Sequence, residues 1–144
     1  MGHTRYEHDV VAWANEQAAL LRSGKLSEID VIKIAEEIED VGKSEQRELA
    51  SCMTVLIAHL LKWKYQPARR GNSRDRTIKA QRKEVLYHLK ESPSLKGKLS
   101  DADWLDVVWA KAVALATTET GLDIFPDNGI WDIEQVLAHE FYPD

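Results

Sequence analysis

Residues 49–61 read LASCMTVLIAHLL, thirteen positions without an Asp, Glu, Lys or Arg. At about 100° per residue, Leu49, Met53, Leu56, Leu60 and Trp63 share one side of a helix. Ala58, Leu61 and Tyr65 take the opposite side, and Val55 and Ile57 lie between. A helix that is apolar all round is a buried one. Crossing a hydrocarbon core takes about 20 such residues, so this stretch reads as a central core helix and not as a membrane span.

The surrounding chain suits that reading. Its 144 residues fit one domain, 1–144, able to bury a core without disulfides or metal. Hydrophobic and charged shares of 44% and 30% are those of a globular protein. The start, MGHTRYEHD, lacks the apolar middle of a signal peptide, and Tyr6 stands where a myristoylation motif needs Ser or Thr. A cytoplasmic protein is expected. Cys52, the single cysteine, lies inside the uncharged run and reads as a small buried apolar residue.

Outward from the run, apolar spacing and punctuation set the other helices. Ser44 is placed to cap the central helix and Pro67 to end it near Tyr65. A helix from Asp9 to Gly24 would bury Val10, Trp13, Ala14, Leu20 and Leu21, with Gln17 in the middle of that stripe. A helix begun by Ser27 and Asp30 as a capping box, and closed at Gly42, would bury Val31, Ile34, Ala35, Ile38 and Val41. Its carboxylates Glu36, Glu37, Glu39 and Asp40 read as a solvated face.

Further on, 74–90 has a narrow stripe of Ile78, Gln81, Val85 and Leu89 with Arg76, Lys79, Lys83 and Lys90 opposite. SPSLKGKL at 92–99 reads as a turn with a short helical piece. Ser100 and Asp103 form another capping box for a helix of 101–120 that Gly121 closes, and Asp132 caps a short last helix. No alternating pattern marks a strand. The fold expected is all-α, a compact bundle of about five main helices around the buried one, plus a short C-terminal helix.

With these residues laid out, the chain resembles the bacterial domain-of-unknown-function family 29, numerous in cyanobacteria. The segments that carry the resemblance are Tyr6 to Asp9 with Trp13, AEEIEDVG (35–42), Ser44-Glu45, HLLKWKYQP (59–67), TIKAQR (77–82) and SPSL (92–95). One departure is Arg74, where the family's pattern places Trp shortly before the Thr-Ile pair. The resemblance implies a helical fold and brings no activity, cofactor or substrate.

Charge supplies the strongest positional signal. Residues 62–83 hold nine basic residues, Lys62, Lys64, Arg69, Arg70, Arg74, Arg76, Lys79, Arg82 and Lys83, against one acid, Asp75. The whole chain carries −5, so the remainder is strongly acidic. Such a segment can engage nucleic-acid phosphates or an acidic protein, or it can neutralise the acidic second helix of its own chain or of a second copy.

Catalytic signatures are weak beside it. There is no Gly-x-Ser-x-Gly turn, no phosphate-binding Gly-rich loop and no paired Glu-x-x-His of a di-iron bundle. Glu84 and His88 form one i, i+4 pair. The histidines His3, His8, His59, His88 and His139 follow no zinc motif. His59, the one imidazole in the uncharged run, is expected to join Gln17, Gln81 and Glu36 in a buried polar cluster that fixes helix register. The reading is a non-enzymatic helical module that binds a protein or nucleic acid through residues 62–83, without cofactor. The alternative is a metal-dependent or hydrolytic enzyme using His59 and the second-helix carboxylates.

Overall fold

The computed structural model describes residues 4–144, so His3 lies outside the described residues. Five α-helices follow in order: α1 Val10–Arg22, α2 Val31–Tyr65, α3 Asn72–Glu91, α4 Ala102–Thr120 and α5 Ile133–Leu137. Short 3₁₀ turns at Leu26–Glu28, Pro67–Arg69 and Pro93–Ser100 join them, and no strand occurs among the described residues. The fold is all-α. No helix is long and apolar enough to cross a membrane among the described residues.

The local signals explain most boundaries. Asp9 caps α1 by accepting from the Ala12 N–H at 3.0 Å. Asp132 and Gln135 complete a capping box on α5. Two caps differ from expectation by a few residues. Asp30 replaces Ser27, accepting from the Lys33 N–H at 3.2 Å because Ser27 is taken into the preceding 3₁₀ turn. Asp101 replaces Ser100 on α4 for the same reason, Ser100 being the last residue of a 3₁₀ run. Gly121, at φ 73°, closes α4.

The larger correction is at Gly42. Neither it nor Ser44 interrupts the chain, and the expected second and third helices are one helix of 35 residues. A helical glycine costs about 1 kcal/mol relative to Ala, less than giving up the backbone bonds that continue through it.

Two compact units make up the chain, Met1–Ser44 and Glu45–Asp144, and α2 contributes residues to both. In the second, the uncharged run is the core. Leu49, Met53, Leu56, Ala58, Leu60 and Leu61 are wholly out of water, packed with Ile78 and Val85 of α3, Ala112 and Ala116 of α4, and Val136 of α5. Among the described residues of the first unit only Trp13 and Gln17 are buried. The expected stripe of Val31, Ala35, Ile38 and Val41 is exposed, as are Val10 and Leu21 of α1.

Two interior cations complete the second unit. Lys62, 5% exposed, pairs with Glu119 of α4 at 2.5 Å. Arg82, 4% exposed, donates to the backbone carbonyls of Val136 and His139 at 2.9 and 3.2 Å, and to that of Phe141.

The continuous α2 predicts opposite outcomes at two glycines. A Cβ at Gly42 meets nothing within 4 Å, so Gly42→Ala should raise the unfolding free energy by about 0.5–1 kcal/mol. Gly121→Ala should lower it by about 1 kcal/mol, because the left-handed backbone penalises a side chain there. Urea titrations shifting the same way for both would contradict the helix course. Arg82→Met should cost about 3 kcal/mol or more and make residues 132–144 sensitive to protease, and Arg82→Lys should recover little, since an ammonium lacks the planar fork. A tail equally protected in both variants would show that the guanidinium does not hold it.

Candidate functional site

The candidate surface is built on α3. Ile78, Arg82, Val85 and Leu89 face the core at helical spacing. Arg76, Lys79, Lys83, Leu86 and Lys90, spaced three or four apart, form one exposed stripe, with Tyr87 beside it. Leu86 and Tyr87 are 51% and 61% exposed, so the stripe is apolar as well as basic.

The nine cations of residues 62–83 do not form one face. Lys62 and Arg82 are spent inside, as above. Arg74 donates to the Lys62 carbonyl at 3.2 Å and to Gln66 Oε1 at 2.6 Å, tying the end of α2 to the start of α3. Arg70 donates to the carbonyls of Trp63 at 2.8 Å and Pro143 at 3.2 Å and lies over the Trp63 ring. Lys64 reaches the main-chain oxygen of Asp144 at 3.3 Å. Arg69, Arg76, Lys79 and Lys83 are left exposed. The sequence signal is therefore two things, a set of internal ties and a shorter outer ridge.

Beside that ridge lies a pocket of about 250 Å³ lined by Lys79, Arg82, Lys83, Leu86, Leu137 and His139, with a mostly apolar wall. Arg82 shapes it by holding the carbonyls of Val136 and His139. A smaller cavity of about 210 Å³, lined by Asn72, Asp75, Arg76 and Lys79, adjoins it through the shared Lys79. Lys79 pairs with Asp75 at 3.1 Å, and the Tyr142 hydroxyl donates to the same carboxylate. That bond, with the lysine's help, holds Asp75 below the ordinary carboxylate range, while burial first and then the Asp75 bond push Tyr142 up to about 12. The arrangement offers cations over an apolar slot, which suits an apolar side chain flanked by carboxylates. Sequence reading missed Leu86, Leu137 and His139; the exposed Leu86 within a basic ridge was the available signal.

The expected polar cluster does not form. Gln17 Oε1 accepts from the Asp30 N–H at 2.7 Å, and Glu36 pairs with Lys33 on the exposed surface of α2. His59 Nδ1 bonds the Val55 carbonyl one turn back at 2.9 Å, and Gln81 Oε1 is buried without a partner among the described residues. Gln17 and His59 each bond backbone and not another member. Nor do three His, Cys, Asp or Glu side chains converge as metal ligands among the described residues. His88 faces Glu45 at 3.8 Å. Burial, and then the Glu84 carboxylate that Cys52 Sγ meets at 3.2 Å, push the thiol up to about 12, so it stays protonated.

The first unit has a cleft of about 550 Å³ whose walls include Arg5, Glu7, Trp13, Gln17 and Asp30. Trp13 Nε1, which sequence reading did not single out, is buried there without a partner among the described residues. The walls mix both charges and define no one ligand chemistry.

Burial, with Lys62 and Arg74 nearby, lowers the His59 pKa below 6.5, against the opposing Val55 carbonyl and Glu119. The folded state then binds fewer protons than the unfolded one, so this stability is present above the unfolded value and is lost as pH falls through the folded one. Denaturant unfolding between about pH 7 and pH 5 should show a loss that His59→Gln reduces. An unchanged pH slope in that variant would show that His59 is not the group responsible.

No curated protein and no solved structure matches the chain significantly. A family model described as "Domain of unknown function DUF29" matches residues 5–142, nearly the whole chain. The segments on which the resemblance was drawn all lie inside that match, and the chain belongs to the DUF29 family.

Proposed function

We propose that this protein is a non-enzymatic, cytoplasmic interaction module of a bacterial cell that binds another protein through the outer stripe of α3. The carrying observation is the pocket that Lys79 and Lys83 line together with exposed Leu86 and half-buried Leu137. An acidic, amphipathic protein segment satisfies both parts of it at once, the apolar wall by desolvation and the ammonium groups by charge. Nucleic acid fits less well. A duplex presents one negative charge for about every 1.7 Å, whereas most cations of residues 62–83 are committed internally. Bacterial origin rests on the resemblance, and a buried, protonated lone thiol is in keeping with a reducing compartment. Residues 1–144 are treated as one working domain because α2 contributes to both units.

A photo-cross-linking amino acid at position 86 in the full chain tests this in cells. The expected result is a protein adduct that Lys79→Glu with Lys83→Glu abolishes. In parallel, binding to a single-stranded and a double-stranded oligonucleotide at low salt should be weak and unaffected by those substitutions. Oligonucleotide binding that needs Lys79 and Lys83 and falls steeply with salt would overturn the protein reading.

A further inference from the structure

The chain carries a second unpartnered surface whose chemistry is the complement of the α3 stripe. On the first part of α2, Val31, Ile32, Ile38 and Val41 are 62–73% exposed. Glu36, Glu39 and Asp40 are exposed on the same stretch. This is an acidic amphipathic helix with its apolar side in water. Of the 14 large hydrophobic residues exposed in the described chain, eight lie in residues 10–41. A unit of 44 residues in which only Trp13 and Gln17 are buried among the described residues is near the size at which a chain needs help from oligomerisation.

We infer that the protein self-associates, the acidic first part of α2 in one copy docking on the basic, Leu86-bearing stripe of α3 in a second copy. This rests on reading α3 as a protein-docking face and names its occupant. Three observations favour a second copy. Charge is complementary, Glu36 and Glu39, which share one face of α2 with exposed Ile32, against Lys79 and Lys83. Length matches, since at about 1.5 Å per residue both the Val31–Ser44 stretch and the Arg76–Lys90 stripe run roughly 20 Å. Spacing matches too, the α2 positions 32, 36 and 39 and the stripe positions 76, 79, 83, 86 and 90 each recurring at three and four residues, as helix pairs require. One kind of contact thereby covers both open faces.

Sedimentation equilibrium on the full chain tests the pairing. Wild type should self-associate with a dissociation constant that rises with salt. Lys79→Glu with Lys83→Glu, and separately Glu36→Lys with Glu39→Lys, should each weaken the association at least about tenfold, because like charges then face each other. All four positions are exposed, and far-UV circular dichroism should show helicity unchanged. An equimolar mixture of the two variants should restore association, since α2 of one variant then meets α3 of the other with opposite charge. A wild type that stays monomeric at low salt, or a mixture that stays monomeric, overturns the inference. If wild type is monomeric while position 86 still cross-links to a different protein, the docking face stands and only the second-copy assignment falls. If position 86 captures no protein, both fall.

Discussion

Satisfying the Arg82 guanidinium out of water is the constraint on which the second unit depends. A buried charge is tolerable only when its donors are matched, and here the fork is matched by three carbonyls from the chain around and beyond α5. Those residues have little regular structure of their own, a helix of five residues followed by a turn. They are held by cations instead of by length. Arg82 takes the Val136, His139 and Phe141 carbonyls, Arg70 the Pro143 carbonyl, and Tyr142 lies against Trp63 and hydrogen-bonds Asp75. Lys62 does for α4 what Arg82 does for the tail, with a carboxylate in place of carbonyls.

The same chemistry decides which basic residues are left for a partner. A helix advances 100° per residue, so a dense basic run must send cations to opposite sides. Arg82 points inward with Ile78 and Val85; Lys79 and Lys83, three residues before it and one after, stay in water. Charge density along the chain is therefore a poor guide to charge density on a surface. It overstates the outer patch and conceals the interior ties.

The sequence made the all-α class, the buried run, most helix ends and the family legible, because each rests on local periodicity or on one capping residue. Leu49 to Leu61 needed no tertiary information, since an apolar helix has only one stable place to be. Gly42 was misread because a glycine signals a helix end only when its φ is positive, and that angle is not written in the residue type. Val31, Ile38 and Val41 were expected in a core because amphipathicity specifies that a face must be covered and not what covers it. Arg82 and Lys62 were read as ligands for a partner because nothing local announces a carbonyl 54 residues away or a carboxylate 57 residues away. The Gln17, Glu36, His59 and Gln81 cluster failed for a related reason. For Gln17 and His59 a backbone N–H or C=O serves as well as another side chain, while Glu36 pairs with Lys33 and Gln81 Oε1 finds no partner among the described residues.

The internal ties and the outer pocket are physically linked. Leu137 and His139, which form the wall across from Lys83 and Leu86, belong to the segment that Arg82 holds. Where anchoring of that segment favours occupancy of the pocket, occupancy stabilises the anchored segment by the same free energy. The buried arginine thus bears on binding without touching the partner through a free donor. Its contribution is to keep the second wall of the slot in place.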